Sequence, residues 1–518
     1  MTIAQAAANV SLIPIYVIGV YLALLLLLGV FSARLFRGTS ADYFVASRSI
    51  GPFLLLMSVF GTTMTAFALV GSTGKAFESG IGVYGLMASS SGLVHSLVFF
   101  FIGIKLWAIG KRYNYVTQIQ FFRARFESNA LGYLLFPILV GLVIPYLLIG
   151  LLGAGATVAA ISRGMFPDIF EGGSIPGWLT GLVICSVVLF YIFFGGLRSA
   201  AWANAFQTIV FMITGVIAFT LISQALGGVT EASSQTLANA PDLLAREGMI
   251  GHAQFLTYML VPLSVGMFPH LFQHWLTAKS AKTFRLTVIA HPLFIMIVWV
   301  PCILIGVWAM GEGITAPRGN VNAVLGATVG RLLHDPFMTG LLTAGILAAI
   351  MSSLDSQFVC LGSMFTNDIV IHATGRDRFT DRQIIMMGRM FIVFVVAITF
   401  VFSLFPPPKI FNLAVWCFSG FASLFPIVFA ALYWKRVTKT GAIASILAMT
   451  VVWFVLFYQD VINPSAERIA EGGDYLVWGM MPVAITFAVS SLTLVVVSLI
   501  TKPPSESTIE KFFDLKAG

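Results

Sequence analysis

Long apolar runs separated by short polar stretches recur along the whole chain. A helix crossing the roughly 30 Å hydrocarbon core of a bilayer needs about 20 mostly apolar residues. Measured against that length, the pattern predicts thirteen membrane-spanning helices, near 12–32, 51–72, 80–110, 131–160, 176–194, 201–226, 253–275, 286–311, 337–371, 385–404, 410–433, 440–458 and 475–500. The stretch Met1–Ser11 has no basic n-region, and no small-residue cleavage site follows the first run. That run therefore reads as a retained helix, not a signal peptide.

Two of the runs are interrupted. The one at 51–72 carries Ser58, Gly61, Thr62, Thr63, Met64 and Thr65 and ends in Gly71-Ser72-Thr73-Gly74. The one at 253–275 carries Pro262, Ser264, Gly266, Phe268, Pro269 and His270. Irregular backbone at membrane depth is tolerated only where protein packs it or a cavity receives it. Small residues also serve close helix packing, but these two runs lie five spans apart. Paired broken spans in corresponding places point to the substrate site of an inverted-repeat transporter.

Composition narrows the class. With 58% hydrophobic and 10% charged residues over 518 positions, the chain is too apolar for soluble domains, which carry about 25% charge. Four scattered cysteines, Cys185, Cys302, Cys360 and Cys417, give neither a disulfide framework nor a metal spacing. The net charge of +8 comes without a basic stripe interleaved with aromatics, which argues against nucleic acid. Sorted by alternate loops, the 29 Lys and Arg residues divide 22 against 7. The richer set includes Arg48, Arg112, Arg125, Arg198, Arg376, Lys435 and Lys516. The poorer set is Lys75, Arg163, Arg246, Arg318, Arg331, Lys409 and Arg468. Basic residues concentrate in cytoplasmic loops, so the expected topology has the N-terminus outside and the C-terminus in the cytoplasm. The loops 113–125 and 368–389 read as ordinary positive-inside loops, and 501–518 as a short cytoplasmic tail.

The run at 337–371 holds the densest chemistry: Ala348-Ala349-Ile350-Met351-Ser352-Ser353-Leu354-Asp355-Ser356. Ser352 and Asp355 share a helix face, as do Ser353 and Ser356. An ionisable residue deep in a span costs roughly 3 kcal/mol or more and is a functional candidate by default. The structural alternative is that the serines bond back to their own helix and Asp355 pairs with a neighbouring Arg or His.

Several segments in order resemble the sodium/solute symporter family, which includes bacterial proline, pantothenate, monocarboxylate and sialic acid symporters and the sodium/glucose transporters. They are Phe194-Gly195-Gly196-Leu197-Arg198-Ser199-Ala200-Ala201-Trp202, Gly266-Met267-Phe268-Pro269-His270, Ala278-Lys279-Ser280, Ser352-Ser353-Leu354-Asp355-Ser356-Gln357, and Phe418-Ser419-Gly420-Phe421 leading to Pro426 and Tyr433-Trp434-Lys435-Arg436. The similarity runs from about Tyr43 to Ile446. It implies an all-α polytopic membrane protein with an inverted five-plus-five repeat, the leucine-transporter-like fold. The segmentation it implies is an extra helix and loop in 1–50, the first repeat in 51–226, an extracellular loop in 227–252, the second repeat in 253–433, two helices in 434–500 and a tail in 501–518. The resemblance also implies a coupling sodium held by the main-chain carbonyls of Gly61, Met64 and Ala349 and the hydroxyls of Ser352 and Ser353.

One departure stands out. Family members often read Trp-Thr-Asp after the Gly-Gly-Leu segment, and that Asp helps some of them bind a second sodium. This chain has Trp202-Ala203-Asn204 there, and Asp355 where those members have a serine. Two readings stay open: a second cation or proton site from Asp355, Ser352, Ser356 and Asn204, or an Asp355 that only orients Ser352 or caps the cavity.

For the substrate, the residues at the first break (Thr62, Thr63, Thr65, Ala66 and Ala68) lack the Asn, Gln and Glu that would satisfy a sugar. Broken helices offer N–H groups and a positive dipole end to a carboxylate. Thr63, Thr65, Phe268 and His270 are the expected contacts, with a small monocarboxylate as first choice and a zwitterionic amino acid as second. For His270 and His274, four residues apart, packing is the alternative. The expectation is therefore a sodium-driven symporter of the bacterial inner (plasma) membrane, with lipid, sodium and a small organic solute as partners. No other cofactor, metal, nucleic acid or obligatory protein partner is implied. A transporter-like sensor acting with a separate signalling protein is the competing class, and no hydrolytic or redox constellation suggests an enzyme.

Overall fold

The computed structural model describes residues 11–34, 36–245, 249–316, 319–405, 408–471 and 473–513. Met1–Val10, Arg246, Arg318 and Lys516, used in the sequence reading, lie outside them. Among the described residues, ten helices are long and apolar enough to cross a membrane, and two bent helix pairs bring the number to twelve. In chain order they are α1 (Ile13–Ala33), α2a and α2b (Pro52–Thr63 and Phe67–Leu86, bent by 56°), α3 (Ser91–Arg112), α4 (Asn129–Ile161), α5 (Gly177–Ala225), α6a and α6b (His252–Gly266 and Pro269–Thr277, bent by 49°), α7 (Ala281–Gly311), α8 (Pro336–Thr374), α9 (Asp381–Phe402), α10 (Ile410–Tyr433), α11 (Lys439–Ile462) and α12 (Pro482–Ile500).

Both interrupted runs are thus broken helices. The two expected spans at 176–194 and 201–226 form one element, α5. At 1.5 Å per residue its 49 residues are far longer than a bilayer is thick. The chain leaves helical conformation inside it at Gly196 (φ 58°, ψ −145°). A Cβ there would collide with the Tyr43 carbonyl, so Gly196 is both the hinge and the docking point of the preceding loop. Three boundaries differ from the sequence reading by more than five residues. The second span continues to Leu86 rather than ending near 72, because Lys75 in it has a buried ion-pair partner. The third begins at Ser91 rather than near 80, since residues 80–86 belong to α2b. The last span begins at Pro482 rather than 475, because residues 473–481 fold back over the bundle end.

The centre of the bundle is set by burial. In α8 and α10, 83% of the central apolar stretch is buried inside the protein, against 28% in α1, α11 and α12. The outer helices therefore present their apolar faces to lipid, and the polar residues of α8 are enclosed by protein.

The ends of the two broken helices meet. Ile50, just before α2a, bridges to Ala278, just after α6b: Ile50 N–H donates to the Thr277 carbonyl at 3.0 Å and Lys279 N–H to the Ile50 carbonyl at 3.0 Å. At the opposite end, Lys75 of α2b and Gln254 of α6a bind one carboxylate, Asp474. The two broken helices therefore run antiparallel. Ion pairs also respect the charge sorting. Arg198 pairs with Asp42 at one end, while Lys75–Asp474, Lys409–Glu78 and Arg468–Asp460 lie at the other.

Candidate ion and substrate site

The break in α2 has a local cause. Hydroxyl side chains compete with the helix ladder for backbone groups, and here Thr63 Oγ1 donates to the Phe60 carbonyl at 2.8 Å while Thr65 Oγ1 accepts the Phe67 N–H at 3.1 Å. Between them Met64 is extended (ψ 100°) and fully buried. In an unbroken helix the Gly61 carbonyl would accept the N–H four residues on, from Thr65. The break removes that donor, and Ser352 Oγ of α8 takes its place at 2.7 Å. The same hydroxyl lies 2.8 Å from the Ala349 carbonyl.

Two carbonyls and a hydroxyl thus converge with one hydrogen among them, an oxygen-rich cluster where α2a meets α8. Unwound carbonyls of this kind coordinate sodium in transporters. Of the five expected ligands, Gly61, Ala349 and Ser352 come together and Met64 stands at the break. Ser353 Oγ donates to the Ile350 carbonyl of its own helix at 2.9 Å. Close approach also fixes Gly61, since a Cβ there would sit 2.6 Å from Thr208 Oγ1 of α5.

One turn further along α8, Asp355 is fully buried. Its Oδ2 accepts from Tyr191 Oη at 3.0 Å and its Oδ1 from Ser356 Oγ at 3.0 Å. With the Asn204 amide oriented to satisfy both its ends, Nδ2 donates to both Asp355 oxygens (3.0 and 3.1 Å) and to the Ser352 carbonyl (2.8 Å), and Oδ1 faces Ser356 Oγ at 2.9 Å. His274 Nε2 of α6b is 2.9 Å from the same Ser356 hydroxyl. Asp355, Ser356 and Asn204 are therefore one network, joined to Ser352 through its carbonyl. None of the Lys or Arg ion pairs among the described residues involves Asp355. The alternative of a directly paired Arg or His is not what the side chains do, because His274 reaches the carboxylate only through Ser356. Tyr191 and His274 escaped the sequence reading of this site. Tyr191 sits in an ordinary apolar run, and nothing local ties either residue to Asp355.

A cavity opens beside the break, lined among others by Thr63, Phe67, His95, Tyr146, Phe268 and Phe418, with no Lys, Arg, Asp or Glu in its wall. Thr63 Oγ1 also lies 3.2 Å from His291 Nε2, whose ring is 5.3 Å from that of His95. Two expected contacts, Thr63 and Phe268, line this cavity. Two do not: the Thr65 hydroxyl caps α2b, and the His270 ring stacks against Phe268 (5.2 Å) and beside Tyr146 (5.9 Å). Both ring nitrogens of His270 are buried without a hydrogen-bond partner. His95, Tyr146 and Trp299 come from α3, α4 and α7, where each sits in a largely apolar run with nothing local to mark it.

Comparison with known proteins agrees with this architecture. The family model of the sodium:solute symporter family matches residues 43–448. A sodium/proline symporter of Staphylococcus aureus (strain bovine RF122 / ET3-1) is 25% identical over 525 residues, covering 96% of this chain and 95% of that protein. Among solved structures, a sodium-coupled sialic acid symporter in a substrate-bound outward-open state superposes with a TM-score of 0.75 at 18% identity, covering 96% of this chain and 99% of that one. The nucleobase-cation-symport-1 transporter Mhp1 superposes with a TM-score of 0.53 at 14% identity, covering 90% and 97%. The fold is leucine-transporter-like, and the chain belongs to the sodium:solute symporter family.

Proposed function

We propose that this protein is a secondary active transporter that couples the downhill entry of sodium to uptake of a small organic solute bearing a carboxylate, with a monocarboxylate as the first choice. The single observation behind the coupling is the contact of Ser352 Oγ with the Gly61 carbonyl at 2.7 Å. It ties the broken helix α2 to α8 through oxygens that a sodium ion would share. In this reading Gly61, Met64, Ala349, Ser352 and Ser353 hold the ion, with Ser353 turning from Ile350 to join them. Asp355, Ser356 and Asn204 form a second cation or proton site, to which Tyr191 and His274 contribute. Thr63 and Phe268 contact the solute. Thr65 and His270 act from one layer behind.

The uncharged cavity wall supports a monocarboxylate, since it holds no acid to receive an ammonium group. The carboxylate would meet the positive dipole end of α2b, whose first N–H groups bond to the Thr65 hydroxyl and carbonyl. A zwitterionic amino acid is the second reading. The aromatic rings of Phe67, Tyr146, Phe268 and Phe418 favour it, because they accept a cationic amine by cation–π contact. So do the relatives named sodium/proline symporters.

Counting α5 as two spans hinged at Gly196 gives thirteen, with 51–226 and 253–433 as the repeats, the N-terminus outside and the Arg198 end in the cytoplasm. The membrane would be the bacterial inner membrane. The test is uptake into proteoliposomes of labelled monocarboxylates and labelled proline, with an inward sodium gradient, a proton gradient or neither. Accumulation that follows sodium supports the reading. Accumulation that ignores sodium and follows pH overturns it.

A further inference from the structure

Outside the cavity, at the Lys75 end, one carboxylate is gripped by both broken helices. Asp474, in the segment before α12, accepts from Lys75 Nζ of α2b at 2.8 Å on Oδ1 and from Gln254 Nε2 of α6a at 2.6 Å on Oδ2. Lys75 is 6% exposed and Asp474 10%, so the pair is nearly out of water. The same segment is stitched down again where the Met481 N–H donates to Thr257 Oγ1 of α6a at 2.9 Å. The pair lies directly above the cavity. Lys75 Nζ stands 5.5 Å from the Phe411 ring centre, and Phe411 packs on Tyr258 (6.4 Å) and on Phe67 (5.3 Å), both of which line the cavity.

We propose that Lys75 and Gln254 form a carboxylate-capture site at the outer mouth, which the Asp474 side chain occupies as a latch when the mouth is closed and the solute's carboxylate occupies when it opens. Three features carry this. An ammonium and an amide N–H at 2.8 and 2.6 Å are a carboxylate-binding pair already holding a carboxylate. Both broken helices are thereby tied to the segment before α12, so neither α2b nor α6a can move away from that segment while both bind Asp474. Removing Asp474 alone would leave Lys75 a nearly buried, uncompensated cation, which is strongly unfavourable. Another carboxylate would relieve it. The solute class rests on the function proposed above, while the latch does not.

Two measurements on the full-length protein in proteoliposomes separate these parts. Tyr475 is a neighbour of the latch that is not part of it, and the four native cysteines are buried. The reaction of Tyr475→Cys with a membrane-impermeant maleimide should be at least about 5-fold faster when combined with Lys75→Gln than alone. Equal rates overturn the latch. For capture, KM for labelled lactate is compared in a latch-free background. Asp474→Asn should lower KM, and Lys75→Gln added to it should raise KM at least about 10-fold with little change in kcat, whereas Lys75→Arg should not. Equal KM values in the single and double variants overturn the capture site. A wild-type protein that moves no carboxylate overturns the solute class and the capture site together, and the labelling rates then still decide the latch.

Discussion

Ser352 Oγ lies 2.7 Å from the Gly61 carbonyl, across 291 residues of sequence, at the point where α2 loses its helical ladder. The hydroxyl supplies a partner that the break removed, and it holds α8 against α2 at its break. In the proposed cycle sodium shares these oxygens. Hydrogen bonds to charged groups are worth about 1.5–3 kcal/mol, or about 10–100-fold in affinity. Ser352→Ala should raise the sodium concentration for half-maximal uptake by at least about 10-fold. The measurement is initial uptake rate against sodium in proteoliposomes matched for inserted protein. A curve that superposes on that of the wild type would remove Ser352 from the ion site.

Asp355 discriminates between one ion and two. Its carboxylate has donors from Tyr191 and Ser356, and from Asn204, but takes part in no ion pair among the described residues. If it holds a second cation, the sodium Hill coefficient of the wild type exceeds one and Asp355→Asn brings it to about one. If it carries a proton, Asp355→Asn leaves the sodium curve alone and abolishes uptake driven by a pH gradient. Unchanged sodium and pH dependence in this variant would reduce Asp355 to a positioning role for Asn204 and Ser356.

How far the sequence reached follows from what is local. The spans were legible because each needs about 20 apolar residues in a row, and the breaks because Thr63, Thr65, Pro262 and Pro269 disturb the ladder where they stand. Asp355 was legible because charge is scarce. Its partners were not: Tyr191 is 164 residues away and looks like any aromatic in an apolar run. The same holds for Lys75, whose charge by itself marks the end of a span, while its ion-pair partner Asp474 lies 399 residues on. Ser353 is legible only in part. The family resemblance places its hydroxyl with that of Ser352, while in the structure it bonds back to the Ile350 carbonyl, a choice of rotamer that no sequence pattern encodes.

Gly196 is the next place to perturb. Its φ of 58° and ψ of −145° lie in a region that only glycine adopts without strain. The Tyr43 carbonyl fills the space where a Cβ would project, while Tyr43 Oη donates to the Ile192 carbonyl at 3.0 Å. Gly196→Ala should cost on the order of 1–3 kcal/mol from backbone strain alone. Thermal unfolding of the detergent-solubilised protein, with yield after size exclusion, reads this out. A midpoint equal to that of the wild type would mean that α5 straightens there at no cost.

The loop that docks on this hinge carries its own pH dependence. Asp42 is fully buried beside the Gly196 hinge of α5, and Arg198 reaches it from Nη2 at 2.5 Å and Nε at 3.2 Å. Burial by itself pushes the Asp42 carboxyl up. The Arg198 guanidinium, the Arg37 N–H at 2.9 Å and the Ser47 hydroxyl at 2.8 Å together outweigh that and hold it below the usual carboxylate range. A carboxylate whose folded value is depressed stabilises the fold fully above its unfolded value, about 3.9. That contribution is lost as pH falls from there through the folded value. Asp42→Asn should therefore lower the thermal midpoint at pH 7, and by the same amount at pH 6. The gap to the wild type should close only below about pH 4, as the wild-type carboxyl itself takes up a proton. Arg198→Gln should behave alike, and the double variant should lose little more than either single one, since both remove the same contact. A gap that widens as pH falls from 7 to 5, or an Asp42→Asn variant more stable than the wild type at pH 7, would mean the Asp42 carboxyl is raised rather than depressed, and that burial, not Arg198, governs it.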